Sequence, residues 1–321
     1  MVTITHGCLF CGHRCRADRG AGEKGLCGAG QKIAFSQALI HRGEEPPISG
    51  PPPGGSGAIF LAGCNLSCVF CQNHAISQSL REAVSLDPES LVEIMFALKA
   101  QGAVNVNLVS PSPHALPLAK AIARAKTLGL GLPVVYNTGG YDSLEALKLF
   151  EGLVDIYLPD AKIAPPDGAV PGDIDERALR LFGAADYAWV NRRAIAEMFR
   201  QVGPLRLNGE GLAYRGLLVR HLVLPDNLAR TDAVLPWVRE SLGEDCHLSL
   251  MAQYFPTHRV KVGLNPEFRD FPGLGRPLSL REYDACVELA TRLGLMNAFT
   301  QDLSARSYYR PDFSEADPFG G

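Results

Sequence analysis

What the sequence lacks excludes several classes of protein. Charge of one sign is not in excess, since 31 Lys and Arg residues stand against 34 Asp and Glu residues, a net charge of −3, so there is no electrostatic footprint for nucleic acid or an anionic membrane surface. Long apolar runs are missing too: one of the longest, Leu217–Leu224, contains Arg220 and His221 and falls short of the ~20 residues of a membrane span. Met1–Cys15 has no apolar core of a signal peptide. We therefore expect a cytoplasmic protein that binds neither nucleic acid nor membranes.

Cysteine, by contrast, is abundant and unevenly placed. Seven of the nine cysteines fall within the first 71 residues, whereas Cys246 and Cys286 stand alone and are expected to be small buried thiols. Thiols stay reduced in the cytoplasm, where clustered cysteines indicate metal binding or catalysis rather than disulfides. We therefore interpret the seven as metal ligands in two groups, Cys8, Cys11, Cys15 and Cys27, and Cys64, Cys68 and Cys71.

The chain of 321 residues is long enough for one large α/β domain or two ordinary ones. Residues 1–45 show no sustained hydrophobic period, so any order there is expected to depend on metal. The Pro- and Gly-rich segment Glu45–Gly57 is interpreted as a linker. The predicted organisation is a Cys-rich metal-binding segment with its linker over residues 1–50, a barrel domain over 51–300 and a C-terminal tail over 301–321.

From Ala58 onward, short apolar runs alternate with amphipathic helical stretches, which is typical of parallel βα units. About six or seven such units favour an α/β fold with a full or partial parallel (βα) barrel over an open doubly wound sheet. Strands are expected at Ala58–Ala62, Val104–Val109, Leu132–Tyr136, Val154–Leu158, Leu217–Leu224, His247–Met251 and Leu295–Phe299. Helices are expected at Pro88–Gln101, Leu116–Leu128, Asp142–Phe150, Asp173–Phe182, Arg193–Val202, Asp232–Leu242 and Leu280–Leu293.

The strongest motif, GCNLSCVFCQN over residues 63–73, directly follows the first expected strand, where a barrel places catalytic loops. Its spacing, Cys-x3-Cys-x2-Cys, supplies three thiolates, whereas structural zinc and ordinary iron–sulfur clusters take four protein ligands. Three thiolates on a four-iron cluster leave one iron open to a chelating substrate. The motif therefore indicates chemistry rather than electron storage.

The same spacing, with Phe70 as the aromatic residue before the third cysteine, resembles the signature of the radical S-adenosylmethionine (SAM) superfamily. The resemblance implies that Cys64, Cys68 and Cys71 hold a [4Fe-4S] cluster, that SAM binds the fourth iron, and that Phe70 packs near the adenine. It also implies cleavage of SAM to methionine and a 5′-deoxyadenosyl radical that abstracts a hydrogen atom, and a reductant such as flavodoxin or ferredoxin. The protein would position the cofactor and exclude water.

The chain also resembles one branch of that superfamily, the pyruvate formate-lyase activating enzyme group. The resemblance implies a glycyl radical enzyme as partner. That group's Gly-Gly-Glu, which holds the amino group of SAM, is absent here; Asn105–His114 stands in its place, and Ser110 and Ser112 are expected to supply polar groups there. The segments that carry the resemblance are Gly63–Leu66, Cys71–Asn73, Asn137–Gly140, Leu158–Lys162 and Val219–Pro225.

Polar residues at the carboxyl ends of the expected strands are candidates for binding the cofactor. Asp160 suits ribose hydroxyls and Lys162 suits a carboxylate, while Arg220 is expected to grip a carboxylate with both arms of its guanidinium. Adjacent strand residues face opposite ways, so His221 is expected in the core. Asn137, in the turn after the third strand, completes the set.

The four N-terminal cysteines can close a metal site by themselves. Zinc in a folding role and an auxiliary [4Fe-4S] cluster that relays electrons or binds substrate both remain open. Two other functions also remain open. The same radical chemistry can act on a small molecule or a peptide; alternatively, one zinc site of a binding protein is formed by Cys8, Cys11, Cys68 and Cys71.

Overall fold

The computed structural model of the chain describes residues 7–263, 265–304, 311–315 and 317–319. Within these ranges the chain forms a ten-stranded sheet and nine α-helices. The strands are β1 (Ile33–His41), β2 (Ser56–Leu61), β3 (Val84–Leu86), β4 (Val106–Val109), β5 (Val134–Thr138), β6 (Ile156–Pro159), β7 (Arg206–Leu207), β8 (Ala213–Leu222), β9 (His247–Met251) and β10 (Ala298–Thr300). The helices are α1 (Pro46–Ser49), α2 (His74–Ser77), α3 (Pro88–Ala100), α4 (Ala115–Thr127), α5 (Leu144–Phe150), α6 (Glu176–Phe182), α7 (Tyr187–Val202), α8 (Thr231–Leu242) and α9 (Leu280–Arg292).

The strands of the predicted βα units run parallel and lie side by side in chain order, from β2 through β4, β5, β6, β8 and β9 to β10. The strand order never reverses, as it does in a doubly wound sheet. Among the described strands β10 pairs with β9 alone, so the curved sheet is open on one side. The structure confirms the predicted α/β fold and gives it the form of a partial parallel barrel.

Burial explains why these segments are strands and helices. Every residue of β2 and β6 is buried, as expected for parallel strands covered on both faces. The helices begin where the sequence provides caps: Asp87 accepts a hydrogen bond from the Ser90 N–H at 2.9 Å ahead of Pro88, and Ser279 forms a capping box with Glu282 at the start of α9. No helix in the described ranges has the length and apolar character needed to cross a membrane.

The N-terminal part of the chain departs from the sequence prediction. Residues 33–41 form β1, which pairs antiparallel with β2 and β3, so the sheet crosses the boundary predicted at residue 50. The segment Glu45–Gly57 was predicted to be a linker, and this is wrong: it contains α1, in which Ile48 is fully buried. The carbonyl of Ile48 accepts a hydrogen bond from the Asn105 side chain at 2.7 Å. Apolar burial and this buried bond fix the segment against the sheet.

The described part of the C-terminal tail packs on β2. The rings of Phe313 and Phe319 lie 5.4 and 5.8 Å from the ring of Phe60, and Phe319 also contacts His41 at 4.2 Å. Residues 305–310, 316 and 320–321 of the predicted tail, and residues 1–6 of the predicted metal-binding segment, lie outside the described residues.

Candidate active site

A cavity of about 470 Å³ lies at the carboxyl ends of the parallel strands, the edge at which βα barrels carry their active sites. Its volume is in the range of small-molecule sites. The structure brings the three cysteines of the motif together, since Cys64, Cys68 and Cys71 all line this cavity. Polar side chains from several strand ends share the wall, among them Glu44, Glu45, Ser110, Asn137, Asp160, Lys162, Arg220 and Gln253.

Backbone hydrogen bonds hold the cysteine loop in place. Gly63, in the left-handed region at φ 84°, donates its N–H to the carbonyl of Ile76 in α2 at 2.9 Å. Ser67 and Val69 donate theirs to carbonyls of the last two residues of α6, at 2.9 and 3.0 Å. The loop is thus fixed at both ends and its sulfur atoms face the cavity.

Burial raises the pKa of all three thiols, to about 12 for Cys68. The Lys162 ammonium lowers the pKa of each, and the Ser77 hydroxyl lies 3.3 Å from the sulfur of Cys71. The thiolate is the form that binds metal, so ionising such buried, neighbouring thiols requires the compensating charge of a metal centre. Three thiols with an ammonium and a hydroxyl beside them are a donor set that fits a [4Fe-4S] cluster.

Phe70 forms part of the cavity wall next to the cysteines. Its ring meets Phe182 and Tyr254 edge to face, with ring centroids 5.9 and 5.3 Å apart. The Tyr254 hydroxyl donates to the Leu274 carbonyl at 2.8 Å, which fixes the second ring. These rings give the cavity an aromatic wall against which a flat ligand can pack. Contact between Phe70 and adenine stays a prediction.

Asp160 and Lys162 follow β6 and line the cavity, as the barrel prediction requires. Lys162 Nζ lies 2.5 Å from Asp160 Oδ2. Burial opposes charge on the lysine, but Asp160 and the neighbouring Cys68 more than offset it and hold the pKa of Lys162 well above its usual range. Tyr187 fixes the segment, since its hydroxyl accepts from the Lys162 N–H at 3.2 Å and donates to the Gly139 carbonyl at 2.8 Å. A permanent positive charge therefore lies beside the thiols.

Arg220, on β8, is engaged by the chain's own carboxylates. It donates from Nε to Glu45 Oε1 at 2.8 Å and from Nη2 to Glu45 Oε2 at 2.6 Å, and Nη2 also donates to Glu44. Burial opposes charge on both Arg220 and Glu45, yet their attraction raises the pKa of Arg220 and lowers that of Glu45. The guanidinium has two carboxylate partners already, so its predicted role as a clamp for a ligand carboxylate stays a prediction.

Glu44 and Glu45 were missed by the sequence analysis. Glu44 also accepts a hydrogen bond from the Asn107 side chain at 2.8 Å, so it links the segment after β1 to β4 and β8 at the cavity wall. The available signal was a pair of adjacent carboxylates directly before Pro46. Their ion-pair partner, Arg220, lies more than 170 residues away in sequence.

A comparison with family models identifies the domain around this cavity. Residues 58–204 match the Radical SAM superfamily, a range that contains β2, the cysteine loop and strands β4–β6. The match supports a radical SAM domain over this part of the chain, in line with the predicted superfamily. A [4Fe-4S] cluster, the use of SAM and radical chemistry are what such a domain implies. The finer resemblance to the pyruvate formate-lyase activating enzyme group stays a prediction.

The similar proteins found for the whole chain add little about its substrate. The chain is 28% identical over 301 residues to the uncharacterized protein MJ0674 of Methanocaldococcus jannaschii. The aligned region covers 91% of this chain and 76% of that protein. Among solved structures it is similar to Streptococcus suis SuiB bound to precursor peptide SuiA, at 10% identity and a TM-score of 0.48, covering 80% of this chain and 51% of that one. SuiB bound to S-adenosylmethionine matches at 10% identity and a TM-score of 0.49, covering 76% and 49%. The chain spans about half the length of these solved structures.

The structure separates the two serines, Ser110 and Ser112, that were expected in place of Gly-Gly-Glu. Ser110 lines the cavity with a left-handed backbone at φ 60°, and Asn137 lines it too, its side chain 3.4 Å from Glu44. Ser112 is buried away from the cavity, with its hydroxyl 3.1 Å from Thr138 Oγ1. The predicted cofactor contact of Ser112 is therefore not supported, because its hydroxyl is used inside the fold.

The two cysteine groups occupy separate places. Cys8, Cys11, Cys15 and Cys27 surround a small cavity of their own, whereas Cys68 and Cys71 line the large one. The separate cavities argue against the alternative of one zinc site built from Cys8, Cys11, Cys68 and Cys71, which stays a prediction.

Proposed function

We propose that this protein is a radical SAM enzyme that abstracts a hydrogen atom from a substrate held in the cavity. The observation that carries the proposal is the convergence of Cys64, Cys68 and Cys71, from one loop, on the carboxyl end of the parallel barrel. A [4Fe-4S] cluster with SAM supplies reductive cleavage of SAM to a 5′-deoxyadenosyl radical. The chain's own residues bind, orient and shield the reacting groups.

The cavity wall supports this division of labour. Lys162 places a positive charge beside the thiolates and is itself held by Asp160. Phe70 and Tyr254 provide the aromatic surface for a nucleobase. Phe60 and Phe319 add apolar wall, which excludes water from a reactive radical. In this proposal Asp160 meets ribose hydroxyls and Lys162 a carboxylate.

For the substrate, we propose a glycine residue of a glycyl radical enzyme, on the strength of the motif resemblance around Cys64–Asn73. A flavodoxin or ferredoxin would deliver the electron. The cavity of about 470 Å³ also suits a small molecule or a peptide side chain in place of a glycine loop. That second candidate differs only in what enters the cavity.

The first experiment tests the chemistry. Oxygen-free, iron-reconstituted protein is reduced in the presence of SAM, and release of 5′-deoxyadenosine is measured. We expect release from the wild type and from Cys286→Ala, whose thiol lies outside the cavity lining, and none from Cys64→Ala. An intact iron–sulfur cluster that does not cleave SAM would contradict the proposal.

A second experiment separates the substrates. Candidate glycyl radical enzymes are incubated with the reduced protein and SAM, and electron paramagnetic resonance spectra are recorded. A stable glycyl radical on the partner supports activation. Its absence, together with deuterium transfer from a labelled small molecule or peptide into 5′-deoxyadenosine, supports the second candidate.

A further inference from the structure

The N-terminal segment folds around its own four sulfur atoms. Cys8, Cys11, Cys15 and Cys27 all line one small cavity of about 10 Å³. A Cβ built on Gly25 would lie 3.3 Å from the sulfur of Cys27 and 3.4 Å from that of Cys15, so these two sulfur atoms lie on the same side of the Gly25 backbone. Four thiols thus share one interior space.

A cationic donor is directed at these sulfurs from the surrounding chain. Arg19 places Nη2 3.5 Å from the sulfur of Cys27. A neutral buried thiol is a weak acceptor that has no need of such donors, whereas metal-bound thiolates are commonly oriented and stabilised by them.

The turns between the cysteines are held in unusual conformations. Arg14 and Arg16, on either side of Cys15, have left-handed φ angles of 45° and 58°. Residues with side chains adopt this region at a cost of roughly 1–2 kcal/mol each. These two strained residues bring the sulfur of Cys15 into the same cavity as the other three sulfurs. A set of merely buried thiols would not require such strain.

The same segment touches the radical SAM cysteine loop on both sides of Cys64. A Cβ on Gly63 would stand 2.9 Å from the carbonyl oxygen of Cys27, so the two backbones are in direct contact. His13 Nε2 lies 2.8 Å from the carbonyl oxygen of Asn65. Asn65 itself lines the small cavity and donates to the Tyr141 carbonyl at 2.9 Å.

We propose that Cys8, Cys11, Cys15 and Cys27 bind a metal centre through four thiolates, and that this centre holds the loop carrying Cys64 in position. Zn²⁺ and a [4Fe-4S] cluster both take this ligand set. In the described residues no three His, Cys, Asp or Glu side chains are arranged to hold a metal ion, and the cavity between the sulfurs is small, so binding of either metal requires the four cysteine side chains to rearrange. The metal site stands by itself; its effect on the loop rests on the proposed function.

The metal site is tested in a chain from which the radical SAM ligands have been removed. In Cys64→Ala/Cys68→Ala/Cys71→Ala, purified without oxygen, we expect either about one zinc per chain or about four irons with matching sulfide and a visible absorption band. Metal and sulfide analysis distinguishes the two sources. Adding Cys8→Ser and Cys11→Ser should abolish the bound metal, whereas adding Cys246→Ser and Cys286→Ser should leave it unchanged. A triple variant that binds neither metal after reconstitution overturns the proposal.

The effect on the loop is tested by chelation rather than by turnover. In Cys15→Ser/Cys27→Ser, with Cys64, Cys68 and Cys71 intact, we expect a chelator to remove iron from the radical SAM site at least about ten-fold faster, the scale seen when supports of metal ligands are lost. His13→Ala removes the bond to Asn65 and the ring contact with Tyr141 but keeps all four cysteines; it guards against a simple folding failure and should accelerate the loss by a smaller factor. Cys246→Ser/Cys286→Ser is the matched control. Unchanged iron release in both test variants, checked for intact secondary structure, overturns the bracing role whether or not the enzyme cleaves SAM.

Discussion

Arg220 connects the chain before the barrel to β8, the fifth of the parallel strands. Its side chain is 12% exposed, and the carboxylates of Glu44 and Glu45 that it binds are 9% and 7% exposed. Charges this well removed from water are stable only as a set, because each loses hydration that the others must replace. The three residues therefore act together as one feature of the cavity wall.

Removing the cation from this set should be costly. Arg220→Met leaves two buried carboxylates without their partner, and we expect a loss of about 3–5 kcal/mol in the free energy of unfolding. Denaturant titration of the purified chain measures it. Arg292→Gln, which removes an exposed pair with Glu288 at 3.9 Å, is the control and should cost less than about 1 kcal/mol. Equal, small losses in the two variants would contradict the argument.

The turn after β5 requires a glycine at position 140. It has a φ of 75°, and a Cβ there would lie 2.4 Å from the Asp160 carbonyl oxygen and 2.2 Å from the Asn191 amide nitrogen. Gly140→Ala therefore combines a left-handed backbone cost of about 1 kcal/mol with a backbone collision, and we expect a loss of more than about 2 kcal/mol. Gly129→Ala has a similar φ of 83° with open space around it. Thermal denaturation should show the larger loss for Gly140→Ala, and the reverse order would sink the explanation.

Sequence reasoning reached some of these residues and not others. The motif at Cys64–Cys71 is local, so its spacing was readable from the sequence. His221 was expected in the core, and its ring is fully buried between the Ala161 carbonyl at 2.6 Å and the Thr231 hydroxyl at 2.9 Å. Glu44 and Glu45 were not reachable, because their meaning depends on Arg220, which sheet pairing alone brings close.

At the scale of elements, parallel strands were predicted well and the antiparallel edge was not. The apolar runs of the parallel strands are short and bounded by turn residues, so they stand out. β1 is only partly buried along most of its length. A partly buried strand does not need a continuous apolar run, and the sequence of β1 shows neither such a run nor a regular alternation. The Pro-rich segment around α1 has the composition of a linker, but composition carries no information about the buried contact of Ile48 with Asn105.

The start of α6 offers a test of an element's support. Asp175 caps α6, accepting from the N–H groups of Arg177 and Ala178 at 3.0 and 3.2 Å, and it also binds Arg230 at 2.5 Å. Asp175→Ala removes both the cap and the charge partner, so we expect a loss of about 3 kcal/mol or more in unfolding free energy.

Two further variants divide that effect. Asp175→Asn keeps a capping oxygen but not the charge, and its loss should fall between those of the alanine variant and the wild type. Asp87→Ala removes the exposed cap of α3 alone and should cost about 1 kcal/mol. If Asp175→Ala costs no more than Asp87→Ala in denaturant titration, the pair with Arg230 contributes nothing.

At the scale of the whole molecule, two buried imidazoles tie folding to pH. Burial lowers the pKa of His221 and of His114 to about 4 each, from an ordinary value of 6.5. Both groups are neutral in the folded chain, while the unfolded chain protonates them as pH falls through 6.5. The unfolded state therefore binds more protons between pH 6.5 and 4, and stability must fall across that window as acid is added.

We expect each imidazole to contribute about 3 kcal/mol to this fall, since one pKa unit corresponds to about 1.4 kcal/mol. His221→Gln keeps a donor for the Ala161 carbonyl but cannot be protonated, so its unfolding free energy should depend less steeply on pH between 6.5 and 4, while the rest of the slope remains because His114 is intact. Urea titrations at pH 7, 5.5 and 4.5 on the wild type and the variant measure both slopes. Above pH 7 the two curves should run parallel, because neither state takes up a proton at this position there. Identical slopes below pH 6.5 would show that His221 takes up a proton as readily in the folded chain as in the unfolded chain, and would contradict its placement as a neutral bridge between the segment after β6 and the start of α8.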